Sequence, residues 1–454
     1  HWADPSSLAL IRFVLKESGL PLMFIISHRP TLDFLDGEAG EHFSYARESI
    51  HLKDLDTPSS REMVRSLMDT PTIPEALDRY ILKHVEGNPF YLEEIVNSLL
   101  DTRRLKRIGS QWHLDESFDI SDVSSSINGI IHGRLDRLGS TTKTLLQEAS
   151  VIGRVFRLDL LERVTALPDA LPTCIDTLDR VDLIRRIPEQ KAPAYSFKHA
   201  IVQEVVYKGL LKKDRRAIHE KIARILESQF HGRLDSVLET LALHYANSDC
   251  AHKAAEYLIR SGEKSLEKYS VEESHRYYER AYRLLDGIDA PSVQEQAMLI
   301  DLIIKWYFAF NKRGLFREML DLLRRHEASV KRFGDSLRTG MYEVCMGWAL
   351  QRREMVTESY TYLTRALKTG QDLGDENIVA YSSACLCWTC TDLGRIDEAL
   401  VFGRQAVKVA ERIQTDHELI RFNLTGMGLL HFFSGDINAC WKVGEQLLQF
   451  GETE

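Results

Sequence analysis

The stretch Cys345–Gly370, CMGWALQRREMVTESYTYLTRALKTG, aligns with Cys385–Ala410, CLCWTCTDLGRIDEALVFGRQAVKVA, at a shift of 40 residues. A second alignment, at a shift of 41, extends the pattern further along the chain. The matched pairs are Cys345 and Cys385, Trp348 and Trp388, Ala366 and Ala406, then Gly394 and Gly435, Ile396 and Ile437, Gly403 and Gly444. Self-similarity at about 20 to 50 residues indicates stacked helix pairs that bury their apolar faces against each other. The sequence therefore predicts a mainly α fold with an α-solenoid over residues 235–454.

Two tryptophans mark equivalent places in successive repeats. Trp348 and Trp388 are expected to be buried on neighbouring helix pairs. The alternative is that Trp388 and Cys387 line an exposed groove for a partner. Cys385, Cys387 and Cys390 lie close together, but no second ligand pair is near them in the sequence, so core packing is favoured over a metal site.

Composition restricts the class of protein. The chain has 454 residues, of which 44% are hydrophobic and 28% charged, enough for two to four domains with ordinary cores. Seven cysteines are too few for a disulfide framework, which favours a reducing cytoplasm. No apolar run reaches the roughly 18 residues that cross a bilayer, so no membrane span is expected. The formal net charge of -9 argues against nucleic acid or anionic lipid as the main partner.

The part before the repeats divides into three regions. Residues 1–54 alternate a helix with an apolar run of buried-strand length, LPLMFIIS (Leu20–Ser27), which is typical of an α/β domain. Residues 55–108 predict a small helical module. Residues 109–234 begin with a polar, Ser-rich linker and continue with three helical patterns and two strand-like pieces, LIRRIP and AYSF. Three helices followed by a hairpin predict a winged helix.

Several strings in this part resemble one family. HWAD at His1–Asp4, the exit SHRP at Ser27–Pro30, EGNPFYLEEIV, GRLDRLGSTTKTLLQEASVIGRVF and YSFKHAIVQEVVYKGLL are similar to segments of signal-transduction P-loop ATPases, the STAND group. The resemblance is strongest to the ATPase regions beside bacterial nucleotide cyclases, Ser/Thr kinases and LuxR-type regulators. It implies the C-terminal part of an ATPase core in 1–54, a helical lid in 55–108, a winged helix in 109–234 and TPR-like repeats in 235–454.

The resemblance also implies nucleotide contacts. Arg29 is expected to be the sensor-type arginine that reaches a γ-phosphate, and Gly87, Asn88 and Pro89 form the lid motif whose proline packs on adenine. From the residues alone, simpler interpretations stay open. Arg29 could be a solvated arginine in a loop, and Gly87 and Pro89 could simply end one helix and begin the next. Asp4 either orders the site or caps a helix, and capping is favoured. ATP and Mg²⁺ are thus expected in the intact protein.

The nucleotide site of this chain is incomplete. No segment matches G-x-x-x-x-G-K-[ST], whose backbone amides and lysine hold the phosphates. The resemblance further implies that HWAD comes directly after the Walker B strand. We therefore expect accessory contacts only, no tight nucleotide binding and no catalytic residue.

The expected partners are the other domains of the intact protein, and a protein or small effector held by the solenoid. Residues 168–182 carry four aspartates against one arginine, so no nucleic acid is expected there. The leading hypothesis is a regulatory and sensor fragment of a STAND ATPase. The alternatives are a TPR-type interaction scaffold with an inert ATPase remnant, or part of a LuxR-like transcription regulator.

Overall fold

The computed structural model describes residues 5–17, 23–28, 48, 50–85, 87–109, 111–115, 126–188, 192–413 and 417–453. These residues divide into two compact units. The connector unit spans residues 29–250, and the repeat unit spans residues 251–454 together with residues 1–28. The first helix, α1 (Pro5–Glu17), belongs to the repeat unit. The mainly α fold is confirmed.

The connector unit begins with three helices around one apolar core: α2 (Thr57–Met68), α3 (Glu75–His84) and α4 (Pro89–Asp101). An antiparallel hairpin follows, with β1 (Leu105–Ile108) paired to β2 (Gln111–Leu114). Leu105, Trp112 and Leu114 pack on the same core as the three helices. Residues 108 and 109, between which the sequence predicted a domain boundary, lie in this hairpin.

A second core of the connector unit surrounds a three-stranded antiparallel sheet. The elements are α5 (Ile127–Leu135), α6 (Ser140–Ile152), β3 (Val155–Arg157), α7 (Leu158–Val164), α8 (Leu171–Arg180), β4 (Ile184–Ile187), β5 (Ala194–Phe197) and α9 (Ala200–Gly209), with strand order β3-β5-β4. Phe156 and Phe197 meet edge-to-face in this core, where each is 1% exposed. The helices and the two strands predicted for this stretch are present.

The connector unit ends with α10 (Lys212–Gln229) and α11 (Leu238–Ala246). The compact units separate between Cys250 and Ala251 rather than at the predicted residue 235. The reason is that α11 packs on α10, and the buried imidazoles of His219 and His244 join the two helices through their Nδ1 atoms, 2.8 Å apart.

The repeat unit is a run of antiparallel helix pairs, so the TPR-like α-solenoid is confirmed. Its helices are α12 (Ala251–Glu267), α13 (Val271–Asp286), α14 (Val293–Arg313), α15 (Phe316–Phe333), α16 (Ser336–Gln351), α17 (Val356–Leu373), α18 (Glu376–Asp392), α19 (Ile396–Ile413), α20 (His417–Phe433) and α21 (Ile437–Thr453). We call the first helix of each of the last four pairs, namely α14, α16, α18 and α20, an A helix.

The turn inside each of the last four helix pairs requires a left-handed residue. Gly314, Glu354, Gly394 and Gly435 hold the same place in successive turns, with φ between +62° and +78°. Three of the four are glycine, which adopts this conformation without the steric cost of a Cβ atom. The turns between pairs end in an aspartate cap: Asp335 and Asp375 accept hydrogen bonds from the backbone N–H groups of Arg338 and Ile378.

The buried strand expected at Leu20–Ser27 is not observed in the part of it that the structure describes. Residues 23–28 have no strand pairing, and Met23 and Ile25 are each 86% exposed. An apolar run forms a buried strand only where neighbouring strands hydrogen-bond to it and helices cover it, and none of the described residues does so. Among the described helices, none is both long and apolar enough to span a membrane.

Candidate functional site

The Gly-Asn-Pro element shapes the start of α4. Gly87 is buried at φ +78°, and its carbonyl accepts a hydrogen bond from the N–H of Leu55 at 2.8 Å. A Cβ at this position would lie 2.9 Å from the Leu55 nitrogen, so only glycine fits. The Asn88 side chain caps the helix by accepting from Phe90 N–H and Tyr91 N–H, and Pro89 takes the first helical turn.

The same element leaves two side chains available to a ligand. Asn88 and Pro89 are exposed, whereas Gly87 is held beneath them against Leu55. The structure therefore shows that these three residues form the start of α4. A contact between Pro89 and adenine stays a prediction. Arg29 lies outside the described residues, as do His1 and Asp4, so its proposed contact with a γ-phosphate stays a prediction.

The next turn of α4 carries a carboxylate that joins it to β5 and α9. Glu93 accepts a hydrogen bond from Lys198 Nζ at 2.5 Å, and its other oxygen lies 3.1 Å from His199 Nε2. Lys198 also contacts Asp182, which follows α8. The His199 ring packs edge-to-face on Phe90, with 4.4 Å between the ring centroids. Two strings that the sequence resemblance singled out, EGNPFYLEEIV and YSFKHAIV, thus meet at Glu93.

A second carboxylate of α4 joins it to α5 through a buried arginine. Arg134 Nη1 donates to Glu94 at 2.8 Å, where the two side chains are 2% and 1% exposed. Its Nε donates to Asp101 at 3.1 Å, and Nη2 donates to the carbonyl of Val181. Arg134 belongs to the third string, GRLDR. A buried pair in which each guanidinium nitrogen makes a hydrogen bond fixes the orientation of two helices, and losing either partner leaves an uncompensated charge.

The cluster Glu93, Glu94, Arg134, Lys198 and His199, which we call the α4 clamp, was not predicted as a site. The sequence resemblance identified the strings that contain these residues but assigned roles only to Gly87, Asn88 and Pro89. A usable signal was present: paired acids in the otherwise apolar stretch PFYLEEIVNSLL, and a Lys-His pair directly after a strand. Charges in such places need buried partners.

The repeat unit buries the cysteines that the sequence placed in its core. Cys385, Cys387 and Cys390 are each at most 1% exposed. Burial raises the pKa of Cys387 and Cys390 to about 12, so these thiols stay protonated and unreactive near neutral pH. The described residues contain no group of three His, Cys, Asp or Glu side chains placed to hold a metal ion.

Sequence comparison finds one relative that matches most of this chain. Uncharacterized protein R02095 of Rhizobium meliloti is 25% identical over 373 residues, which cover 77% of this chain and 34% of that protein. The chain thus spans about a third of the length of this curated relative. No family model matches the chain.

Structure comparison returns helical proteins at low similarity. A STAND protein with a tetratricopeptide repeat sensor, PH0952 from Pyrococcus horikoshii, has a TM-score of 0.31 at 12% identity, covering 89% of this chain and 73% of that one. Aspartyl phosphate phosphatase F from Bacillus subtilis has a TM-score of 0.38 at 11% identity, covering 84% and 86%. Because these TM-scores lie below 0.5, we assign the fold from the chain's own helices and contacts.

Proposed function

We propose that this chain is the regulatory and sensor part of a STAND-type ATPase. In this proposal residues 1–54 complete the ATPase core, the α2–α4 module is the lid, and the three-stranded module is the winged helix. The repeat unit senses a protein or small effector in the cytoplasm. ATP and Mg²⁺ bind in the intact protein, and any cyclase or kinase output lies outside this chain.

The observation that carries the proposal is the α4 clamp. The helix that begins at the exposed Asn88 and Pro89 is bound, one turn later, to β5 and α9 through Glu93 and to α5 through Glu94. Contact of a nucleotide with Pro89 would therefore act on a lid helix that cannot shift without moving the three-stranded module. This geometry supports the transmission of nucleotide state from the lid to the rest of the chain.

The chain alone is not proposed to bind nucleotide tightly. A phosphate cradle of backbone amides with a lysine, and an aspartate for Mg²⁺, supply most of the affinity in P-loop ATPases, and the printed sequence has no such loop. Calorimetry of residues 1–454 with Mg-ATP should give no binding in the micromolar range. A micromolar dissociation constant would contradict this assignment.

The deciding experiment uses a longer version of the protein that includes a P-loop. Arg29→Ala should reduce the preference for ATP over ADP, since its proposed partner is the γ-phosphate. Pro89→Ala should weaken both nucleotides alike through loss of the adenine contact. Pro74→Ala is the matched control, because Pro74 also lies at the start of a lid helix, α3, and has no proposed ligand.

Two results would point away from a STAND switch. If Arg29→Ala and Pro89→Ala leave both affinities and their ratio unchanged, the nucleotide site is assigned wrongly. If the longer protein binds no nucleotide at all but still binds a partner through its repeats, the chain is an interaction scaffold with an inert ATPase remnant. Specific binding to duplex DNA would instead favour the LuxR-like regulator.

A further inference from the structure

The inner side of the helix stack in the repeat unit has few exposed side chains. In α16 every residue from Tyr342 to Gln351 is buried, and in α18 the same holds from Ala380 to Cys390 except for the half-buried Trp388. A helix of an open solenoid buries the faces that meet its neighbours and leaves one face to solvent or ligand. Burial on all sides means that other helices of the stack cover that face.

Part of this cover comes from repeats that are not adjacent. Phe308 of α14 meets Tyr381 of α18 edge-to-face at 6.1 Å, and Trp348 of α16 meets Phe422 of α20 at 4.6 Å. Both contacts skip one repeat. The A helices α14, α16, α18 and α20 therefore curl around a shared interior, in which Tyr307 and the thiols of Cys345 and Cys385 are buried near one another.

An ion pair joins the two ends of this curl. Lys312, at the end of α14, donates from Nζ to Glu418 Oε1 at 2.6 Å, and Glu418 lies in the first turn of α20, three repeats further along the solenoid. Lys312 also lies over the Tyr269 ring, 4.8 Å from its centroid, and Arg421 makes a second contact to Glu418. Burial opposes ionisation of Glu418, but the hydrogen bonds from Lys312 and Arg421 outweigh it and lower its pKa.

We propose that the Lys312–Glu418 pair is a latch that holds the inner face of the repeats closed, and that a ligand reaches this face only when the latch opens. The inference rests on the proposed role of the repeats as a sensor. A ligand that binds only the open form shifts the equilibrium by its preference for that form. The ligand class that fits is an acidic, apolar peptide segment, which offers Lys312 a carboxylate and the aromatic rings of Trp348 and Phe422 a new partner.

The test uses the full chain and thiol alkylation by N-ethylmaleimide, mapped by mass spectrometry. In the unaltered protein Cys345 and Cys385 should be protected, while the half-exposed Cys440 is labelled. Glu418→Lys places a cation against Lys312 and should speed labelling of Cys345 and Cys385 at least tenfold. Cys174, buried in the connector unit, should stay protected and so report that this unit has not unfolded, and an unchanged helical circular dichroism signal should show that the repeats stay folded.

Two further variants make the result specific. The charge swap Lys312→Glu/Glu418→Lys should restore protection, because it rebuilds the pair in reverse. Glu279→Lys is the matched control, since it makes the same charge change at an exposed pair, Glu279 with Arg283, inside the single helix α13; it should leave protection unchanged.

The latch is wrong if Glu418→Lys leaves Cys345 and Cys385 as protected as in the unaltered protein. If Glu418→Lys fails to fold, the charge swap decides: a folded, protected double variant supports the latch, and failure to recover counts against it. No nucleotide or partner enters the experiment, so its outcome is independent of whether the chain belongs to a STAND ATPase.

Discussion

The indole rings of Trp348 and Trp388 pack edge-to-face, with 5.7 Å between their centroids and 79° between their planes. The two residues hold equivalent positions in A helices 40 residues apart, as the sequence repeat predicted. Their surroundings differ: Trp348 is 4% exposed and donates from Nε1 to Asn311 at 3.0 Å, whereas Trp388 is half-buried against α20. Trp388 packs inside the curl of A helices rather than lining an open groove.

This difference predicts unequal costs of truncation. Trp348→Ala should lower the free energy of unfolding by about 3 to 5 kcal/mol, as for a buried large aromatic, and Trp388→Ala by less. Trp441→Ala is the control, because Trp441 is 71% exposed and its loss should change stability little. Urea unfolding of the three variants measures the ranking. Equal midpoints for Trp388→Ala and the unaltered protein, with loss of a binding reaction instead, would support the groove interpretation.

The sequence predicted best what depends on neighbouring residues. The positions of α6, α8, β4 and β5 follow from local apolar periodicity and turn residues, and the repeat follows from self-similarity. The sequence did not predict the hairpin β1–β2, because Gln111–Leu114 lies in a polar, Ser-rich stretch. This segment is a strand because it pairs with Leu105–Ile108. Strand formation of this kind depends on the partner more than on intrinsic preference.

The sequence alone could not predict contacts between residues that lie far apart in the chain. The α4 clamp joins Glu93 to His199 across about a hundred residues, and the latch joins Lys312 to Glu418 across a similar distance. The local sequence does not show which charged residues pair, because the pairing depends on how distant helices pack in the folded chain. The Gly87 conformation, by contrast, was implied by the Gly-Asn-Pro order, since a glycine before a capping residue is a common helix boundary.

Glu354 should be a site where one substitution stabilises the repeats. It adopts φ +62° in a turn where the equivalent residues are Gly314, Gly394 and Gly435, and its side chain is exposed. The left-handed conformation destabilises a residue with a Cβ by roughly 1 to 2 kcal/mol. Glu354→Gly should therefore raise the free energy of unfolding by about 1 kcal/mol.

Two controls separate backbone strain from side-chain effects at this turn. Glu354→Ala keeps the Cβ and should leave the thermal midpoint nearly unchanged, whereas Gly394→Ala should lower it. A Glu354→Gly variant that is no more stable than Glu354→Ala would show that the turn carries no strain.

The buried pair Arg134–Glu94 should dominate the stability of the connector unit. Arg134→Met leaves Glu94 buried without its partner and the Val181 carbonyl without its donor, which should cost about 3 to 5 kcal/mol. Arg134→Met/Glu94→Leu removes both charges and should recover most of the loss.

A comparison with an exposed pair tests whether burial is the cause. Arg79 and Glu75 form an ion pair one helix turn apart with side chains 74% and 87% exposed, so Arg79→Met should have almost no effect. Unfolding monitored by circular dichroism gives the four stabilities. If the double variant is as unstable as Arg134→Met alone, the cost comes from lost packing and not from an unpaired charge.

The connector unit should lose stability below about pH 6.5 through two buried histidines. Tyr207 Oη lies 3.0 Å from His219 Nε2, and His219 Nδ1 lies 2.8 Å from His244 Nδ1. One of the two Nδ1 atoms must donate and the other accept, so at least the accepting ring is neutral in this arrangement. Burial, with the charge of Arg215, lowers the pKa of His219 to about 4, and burial with His219 lowers that of His244 to about 3.

Because both pKa values are lower in the folded state, the unfolded chain takes up protons first as the pH falls. Above pH 6.5 the two rings are neutral in both the folded and the unfolded state, so they do not change the free energy of unfolding. Between pH 6.5 and about 4, each histidine should lower the free energy of unfolding by up to about 1.4 kcal/mol per pH unit. Urea midpoints measured from pH 7.5 to 5 should therefore fall more steeply than in the variant His219→Phe/His244→Leu. His231→Gln, which removes an exposed imidazole, is the control for losing one histidine. Parallel midpoint curves for the double variant and the unaltered chain would show that this buried pair does not set the acid sensitivity of the fold.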